Sequence, residues 1–468
     1  MITEPARRQR GGMIDRTVVA NDPSALSSSI RFKAIFGGAF GNFIEWYDFA
    51  IYGFLAAILA DQIFPSSDPS VSLLASFGAF AIGFLGRPIG AFVLSPLADR
   101  YGRRQLLAAT IVLAGIASVM IGLCPTYNQI GIVAPVLVTA WRFVQGVAVG
   151  GEFQIAASFI NEHAPSRHRA FAGSAQLVSS GLAVLVALGV TSAVAKTVDP
   201  AALSSWGWRV PFLIGGVLSV YGFFLRNGLP ESPSFERSKV KSPSALTVLL
   251  SLKDYPREVF IVFVAQLSSV QYYLWLIFLP TYANLVGGLE RSAGFVGSLI
   301  ATAVYIAGVP TFAYVSDEIG RKPMLLCAAT GFLVLAYPLL MALRAPLSFE
   351  LFLVVAITGA TLVAINNSVA GTFLSELFPT KIRASGIGIP YAVCAALFGG
   401  TAPAVSTWLN ERGGPALIAY YVMGICVLTI ATHLFLTPET RGRSLDYSLE
   451  TYVRPINARR TPSQSSTS

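Results

Sequence analysis

The sequence predicts an all-α integral membrane protein, a bundle of twelve spanning helices arranged as two similar halves. Three observations predict it. Of 468 residues, 54% are hydrophobic and only 12% charged, with mean hydropathy +0.63, where soluble domains average about a quarter charged. Apolar runs of the length that crosses about 30 Å of hydrocarbon recur along the chain. A charged turn, Ser95-Pro-Leu-Ala-Asp-Arg-Tyr-Gly-Arg-Arg104, returns 218 residues later as Ser316-Asp-Glu-Ile-Gly-Arg-Lys322, so that Asp99 matches Asp317, Gly102 matches Gly320, and Arg103 and Arg104 match Arg321 and Lys322. Internal repeats of this kind are how many membrane carriers are built.

Residues 1–33 form a polar, basic N-terminal tail with no apolar core of a cleavable signal, so the first span itself would target the chain. Six spans follow at 34–60, 71–96, 105–123, 132–158, 171–195 and 209–228, making a first half over 34–228. Residues 229–257 are rich in Pro, Ser and Lys and read as a linker. The second half, 258–437, holds spans at 258–283, 293–316, 324–343, 349–375, 385–408 and 416–437, before a polar tail over 438–468 that shows no heptads. An even number of spans puts both termini on one side. With that side inside, 26 of the 33 Lys and Arg fall in inner segments and five in outer loops, which predicts cytoplasmic termini; the expected setting is the cell inner membrane.

The net charge of +9 is spread over short loops between apolar runs, which argues against a nucleic-acid partner. The four cysteines, at 124, 327, 394 and 426, are scattered and read as small apolar residues. With three histidines, at 163, 168 and 433, there is no metal-ligand spacing and no nucleophile–base pattern, so no metal, no cofactor and no enzyme is expected. No soluble segment is long enough for a signalling domain, which argues against a sensor.

Ionisable side chains inside apolar spans are costly and mark function by default. Five stand out: Glu45 and Asp48 in the first span, Arg87 towards the inner end of the second, and Arg142 and Glu152 in the fourth. At 1.5 Å rise per residue, Glu45 lies roughly 17 Å from the inner end of its span and Arg142 about 15 Å from the outer end of its own, close to one plane. The i, i+3 spacing predicts that Glu45 and Asp48 share a face, with Arg142 opposite both. A carboxylate so placed can exchange protons, so Glu45, Asp48, Arg142 and Glu152 are proton-coupling candidates, against the alternative of a static salt bridge between helices. The second half offers polar and aromatic groups instead. Gln271, Tyr272, Asn366, Asn367 and Tyr391, with Arg142 and Gln145, are the candidate substrate contacts, or else helix-to-helix hydrogen bonds. Gly146, Gly150 and Gly151 thin one side of span four, and Pro280, Pro310, Pro390 and Pro403 are expected to kink their spans.

The repeated turns have a mechanical reading. Ser95, Asp99, Arg100, Gly102, Arg103 and Arg104, and in the second copy Asp317, Gly320, Arg321 and Lys322, are candidate gating residues whose charge contacts hold the inner side closed.

The turn resembles the signature loop of the major facilitator superfamily, with Ser95 where that pattern has Gly, and Arg142-x-x-Gln145-Gly146 resembles its fourth-helix motif. Ile44-Glu-Trp-Tyr-Asp-Phe49, Gly86-Arg-Pro-Ile-Gly90, Gly150-Gly-Glu152, Glu162-His-Ala-Pro165, Gly207-Trp-Arg-Val-Pro-Phe212 and Glu376-Leu-Phe-Pro-Thr-Lys-Ile-Arg383 are similar to the metabolite:proton symporter family. The resemblance implies the major facilitator fold and import of a small organic anion, driven by the proton gradient. The Gly-Pro pair of antiporters is missing from 171–195. Gly41-Asn-Phe, Pro280-Thr-Tyr282 and the stretch from Phe398 to Thr407 look most like the citrate and tricarballylate branch, whereas Trp46-Tyr47 and Gln154-Ile155 depart from it. The expectation is therefore proton symport of a di- or tricarboxylate such as citrate, by a monomer whose other partners are protons and the lipid bilayer. The alternatives are proline or betaine, or shikimate and aromatic acids.

Overall fold

The computed structural model describes residues 28–101, 103–150, 169–227, 252–378 and 383–443, with the side chains of 28–39, 91, 95–107, 200, 226–227 and 383–385 left aside. Among these residues ten helices are long and apolar enough to span: α1 (Phe40–Ile63), α2 (Pro69–Leu94), α5 (Arg169–Thr197), α6 (Leu203–Leu225), α7 (Pro256–Gly287), α8 (Arg291–Ile319), α9 (Arg321–Met341), α10 (Phe349–Leu377), α11 (Gly386–Gly413) and α12 (Pro415–Phe435). Two shorter apolar helices, α3 (Ala108–Gly122) and α4 (Val133–Val149), complete the twelve expected spans. Both border residues that are not described: the inner end expected for span four falls in 151–168, as does Glu152. The linker up to residue 251, the outermost parts of both tails, Gly102 and the side chains of Ser95, Asp99, Arg100, Arg103 and Arg104 likewise lie outside the described residues.

The repeat seen in sequence is visible in the packing. Within the first six helices, α2 packs on α4, α3 on α6 and α1 on α5. Shifted by six, α8 packs on α10, α9 on α12 and α7 on α11. The two groups meet where α5 packs on α8 and, again shifted by six, where α11 packs on α2. This pairing is a twofold repeat, and it explains why the end of α2 and the end of α8 carry matching charged turns.

Backbone detail departs from straight rods where sequence provides the cause. Helix α7 turns at Leu267 and Ser268, widens to a π-helix over Tyr273–Phe278, and restarts at Leu279 with Pro280 in its first turn. Helix α11 is a π-helix over Ala395–Gly399 and restarts at Ala402 with Pro403 in the first turn. Proline lacks the N–H that a continuing helix needs but is tolerated at a helix start. Pro310 and Pro390, also expected to weaken their spans, instead lie inside helices that run on through them.

The α2–α4 crossing is unusually close. A methyl group at Gly146 would sit 1.8 Å from the carbonyl oxygen of Gly83. Glycine on both helices lets the backbones touch, as small residues do in membrane bundles. That contact draws Arg87 on α2 and Arg142 on α4 to one aromatic ring, Phe49 of α1, with their guanidinium carbons 4.3 and 4.5 Å from its centroid.

Candidate functional site

Midway along α1 the chain buries Glu45, Trp46 and Asp48 almost completely. The i, i+3 pair does not share a partner. Glu45 faces α2, its Oε1 lying 3.1 Å from Nη2 of Arg87. Asp48 faces α3 and α6: its Oδ1 accepts from Ser118 Oγ at 2.8 Å, and Ser118 is also within reach of the Phe212 carbonyl at 3.1 Å. A side chain at Gly215 would collide with that carboxylate, 2.5 Å away. Of the two acids expected opposite Arg142, Glu45 pairs with Arg87 instead, while Asp48 stays within electrostatic reach of Arg142. Residues i and i+3 differ by about 60° around a helix, enough here to aim one carboxylate at α2 and the other between α3 and α6.

Among the described residues Arg142 has no carboxylate within ion-pair distance. It is wholly buried, its Nη1 donates to Gln145 Oε1 at 2.8 Å, and its guanidinium carbon lies 4.5 Å from the Phe49 ring and 4.4 Å from the Tyr52 ring. Among the described residues, its Nε and Nη2 and the Nε2 of Gln145 have no hydrogen-bond acceptor. A buried donor without an acceptor costs about 1–3 kcal/mol, more when charged, so this cation stands ready for an anionic group. Arg87, which takes the place expected of Arg142, carried no role in the sequence reading. The signal was available: an arginine between Gly86 and Gly90, where the backbone of α4 comes close.

Across the seam the second half contributes aromatic rings. Trp46 stacks on Tyr273 with centroids 6.0 Å apart and meets Tyr272 edge-on at 5.1 Å. Tyr273 also meets Phe84 of α2 at 5.1 Å. Tyr391 on α11 bonds Gln266 and lies close enough to interact electrostatically with Glu45 and Arg87. Trp46 was not among the expected contacts, though a tryptophan beside a mid-span acid is too deep for an interfacial belt.

Gln271, Asn366 and Asn367 sit differently. They line a small cavity of about 20 Å³ inside the second half, together with Ser268, Cys426 and Thr429. Asn366 Nδ2 donates to Ser268 Oγ at 2.9 Å and Asn367 Nδ2 to Tyr305 Oη at 3.0 Å. The Gln271 amide can donate to the carbonyl of Ser268 at 2.9 Å, at the turn in α7. These amides tie the broken part of α7 to α8 and α10.

The two halves touch at both ends of the bundle among the described residues. At one end Asp317 of α8 accepts the first backbone N–H groups of α5, from Ala170 at 3.2 Å and Phe171 at 3.1 Å. Arg321 binds Asp317 at 2.8 Å and Glu376 at 3.4 Å, and Arg169 binds Glu376 at 3.1 Å. Thr440 Oγ1 donates to Glu376 at 2.7 Å, and Lys322 Nζ donates to the carbonyls of Leu434 and Thr437. Gly320 adopts φ +110°, a conformation that other residues rarely take. The structure thus brings Asp317, Gly320, Arg321 and Lys322 together and adds Arg169 and Glu376, which had been read as loop charge and as part of a motif. Glu439 also joins, held by the backbone N–H groups of Arg321, Lys322, Thr440 and Arg441. Partial burial pushes its carboxyl upward, but those four donors outweigh it and hold the group below the ordinary carboxylate range. At the other end the contact is apolar: Phe54 against Phe295, and Phe77 against Phe278.

The family model described as sugar (and other) transporter matches residues 34–257 and 237–451. The chain is 32% identical to a glycine betaine/proline/ectoine/pipecolic acid transporter of Dickeya dadantii (strain 3937) and to a proline/betaine transporter of Escherichia coli (strain K12), covering in each case 92% of this chain and 88% of the relative. It is also 32% identical to the alpha-ketoglutarate permease of Escherichia coli (strain K12), covering 92% and 100%. None of these three names is a citrate carrier. A solved proton:xylose symporter of the major facilitator superfamily, bound to 6-bromo-6-deoxy-D-glucose, superposes with a TM-score of 0.73 at 19% identity, covering 90% of this chain and 98% of that one. The chain is accordingly a multi-pass membrane transporter rather than an enzyme; it has the major facilitator fold and belongs to the sugar (and other) transporter family.

Proposed function

We propose that the protein is a proton-coupled symporter that imports a small zwitterion bearing a carboxylate, of the proline or betaine kind. One observation carries this reading: among the described residues the mid-membrane site holds two acids and two arginines, Glu45 and Asp48 against Arg87 and Arg142, all buried. Their charges cancel. Such a site suits a substrate that is itself neutral overall, and it is a poor field for a trianion. Two relatives with osmolyte names at 32% identity support the same choice over citrate.

Arg142, with two unengaged nitrogens, is the group for the substrate carboxylate, and Gln145 orients it. Glu45 and Asp48 are the proton carriers in this reading, and Glu152 remains a candidate beside them. Tyr272 and Tyr391 border the site, while Gln271, Asn366 and Asn367 act from inside the second half. The inner gate is the network around Asp317, Arg321 and Glu376, with the turn from Ser95 to Arg104 as its counterpart. The end carrying that network faces the cytoplasm, as the distribution of Lys and Arg favours. The protein works as a monomer, its halves rocking around the site.

A dicarboxylate is the second reading. The alpha-ketoglutarate permease matches at the same identity, and two arginines at one ring can each take a carboxylate once Glu45 is protonated. Uptake of labelled glycine betaine, proline, 2-oxoglutarate and citrate into proteoliposomes, with and without an inward proton gradient, separates them. Gradient-driven betaine or proline uptake supports the proposal. Uptake of 2-oxoglutarate alone, or uptake that ignores the gradient, sinks it.

A further inference from the structure

Trp46, Tyr272 and Tyr273 occupy one corner of the site, each at most 6% exposed. Tyr272 and Tyr273 also meet edge-on at 5.4 Å, so the three rings form one mutual cluster. Two polar atoms in it, Trp46 Nε1 and the Tyr272 hydroxyl, have no hydrogen-bond partner. A packed core normally avoids that arrangement, because orphaned polar groups inside are costly. The cluster is also split between the halves: Trp46 comes from α1, the tyrosines from α7. In this conformer the rings cover one another. A rocking motion between the halves would separate Trp46 on α1 from the tyrosines on α7 and bare their ring faces. Phe49 and Phe84 link this corner to Arg142, with Phe49 4.8 Å from Phe84 and Phe84 5.1 Å from Tyr273.

We infer that Trp46, Tyr272 and Tyr273 form a cation–π subsite for the onium end of a zwitterionic substrate whose carboxylate is bound at Arg142. The inference rests on the zwitterion reading above. Aromatic faces recognise quaternary ammonium groups through the ring quadrupole, best when water is excluded, and burial here excludes it. The two unpartnered polar atoms lie at the ring edges, where they can reach a water carried in with the substrate.

The test uses the full chain and two probes of one shape: glycine betaine, and 3,3-dimethylbutanoate, in which a tert-butyl group replaces the trimethylammonium. Wild-type protein is expected to bind betaine roughly tenfold more tightly than the uncharged-end isostere. Trp46→Leu and Tyr273→Leu should erase that preference while binding of the isostere persists, and Trp46→Phe should keep part of it. Equal binding of the two probes by wild type overturns the subsite and leaves the zwitterion reading standing. Loss of both probes together in Trp46→Leu and Trp46→Phe makes the ring a packing element and also overturns it. Failure of wild type to bind betaine at all overturns the zwitterion reading, and the subsite falls with it.

Discussion

Arg169 at the start of α5 and Glu376 at the end of α10 lie 3.1 Å apart although 207 residues separate them in sequence. They belong to different halves, and both are buried. Removing one partner of a buried pair leaves the other charge uncompensated, at about 3–5 kcal/mol. Glu376→Gln is therefore expected to loosen this end of the bundle. Thr372, whose hydroxyl reaches the carbonyl of Arg169, offers a reporter: a cysteine placed there should react with a soluble maleimide several-fold faster in the Glu376→Gln background. An unchanged labelling rate would show that the pair does not hold the halves together.

Asp317→Asn should act at the same end through a different interaction. Its carboxylate caps the first turn of α5 from the opposite half, and a negative charge at a helix N-terminus is worth about 0.3–1 kcal/mol plus its hydrogen bonds. Combined with Glu376→Gln the losses should fall short of additive, because Arg321 bridges both acids. Thermal unfolding of the two single variants and the double variant measures this.

Asp48 and Glu45 are expected to separate in function as they do in space. Asp48→Asn should abolish accumulation driven by a proton gradient while substrate exchange at equal concentrations continues. Glu45→Gln frees Arg87 from its partner and should change substrate affinity as well. Gradient-driven accumulation by Asp48→Asn at the wild-type level would remove Asp48 from coupling.

Gly146→Ala places a methyl 1.8 Å from a backbone oxygen of Gly83. Neither backbone can yield as a side chain can, so the cost should reach at least the roughly 1–3 kcal/mol of overpacking. A melting temperature in detergent lowered by several degrees is expected. The glycine at 189 on α5, with nothing within 4 Å of its added methyl, is the control that should tolerate alanine.

Glu439 gives a pH dependence. Its carboxyl is held below the ordinary range, so its contribution is complete above the unfolded-state value near 4.3 and is lost as pH falls through the lower folded-state value. Acidification below about pH 4 should therefore destabilise wild type more than Glu439→Gln. Parallel stability curves for the two proteins would contradict this.

Much of the architecture was legible because a bilayer allows few solutions. Twelve apolar runs and a repeated turn were enough to anticipate the bundle, and the packing shifted by six helices is what that repeat means in space. Glu45, Asp48 and Arg142 stood out because charge in an apolar run has few innocent explanations. Their pairing did not, since it depends on a 60° difference around α1 and on how closely glycine lets α2 approach α4. Arg87 became the partner of Glu45 through that crossing, which no one-dimensional pattern displays. That Gln271 and Asn366 line a cavity inside the second half was not legible, because polarity alone does not tell which side of a helix faces the centre. The citrate expectation came from short motifs, which carry fold and coupling more than they carry substrate.

The balance of two acids against two arginines also bears on energetics across the membrane. On the zwitterion reading an empty carrier with a neutral site reorients without moving charge, and a carrier loaded with a zwitterion and one proton moves a single positive charge inward. The membrane voltage then acts on the loaded step alone. One charge crossing 100 mV gains about 2.3 kcal/mol, which sets a ceiling of roughly fifty-fold accumulation from voltage before any pH difference contributes.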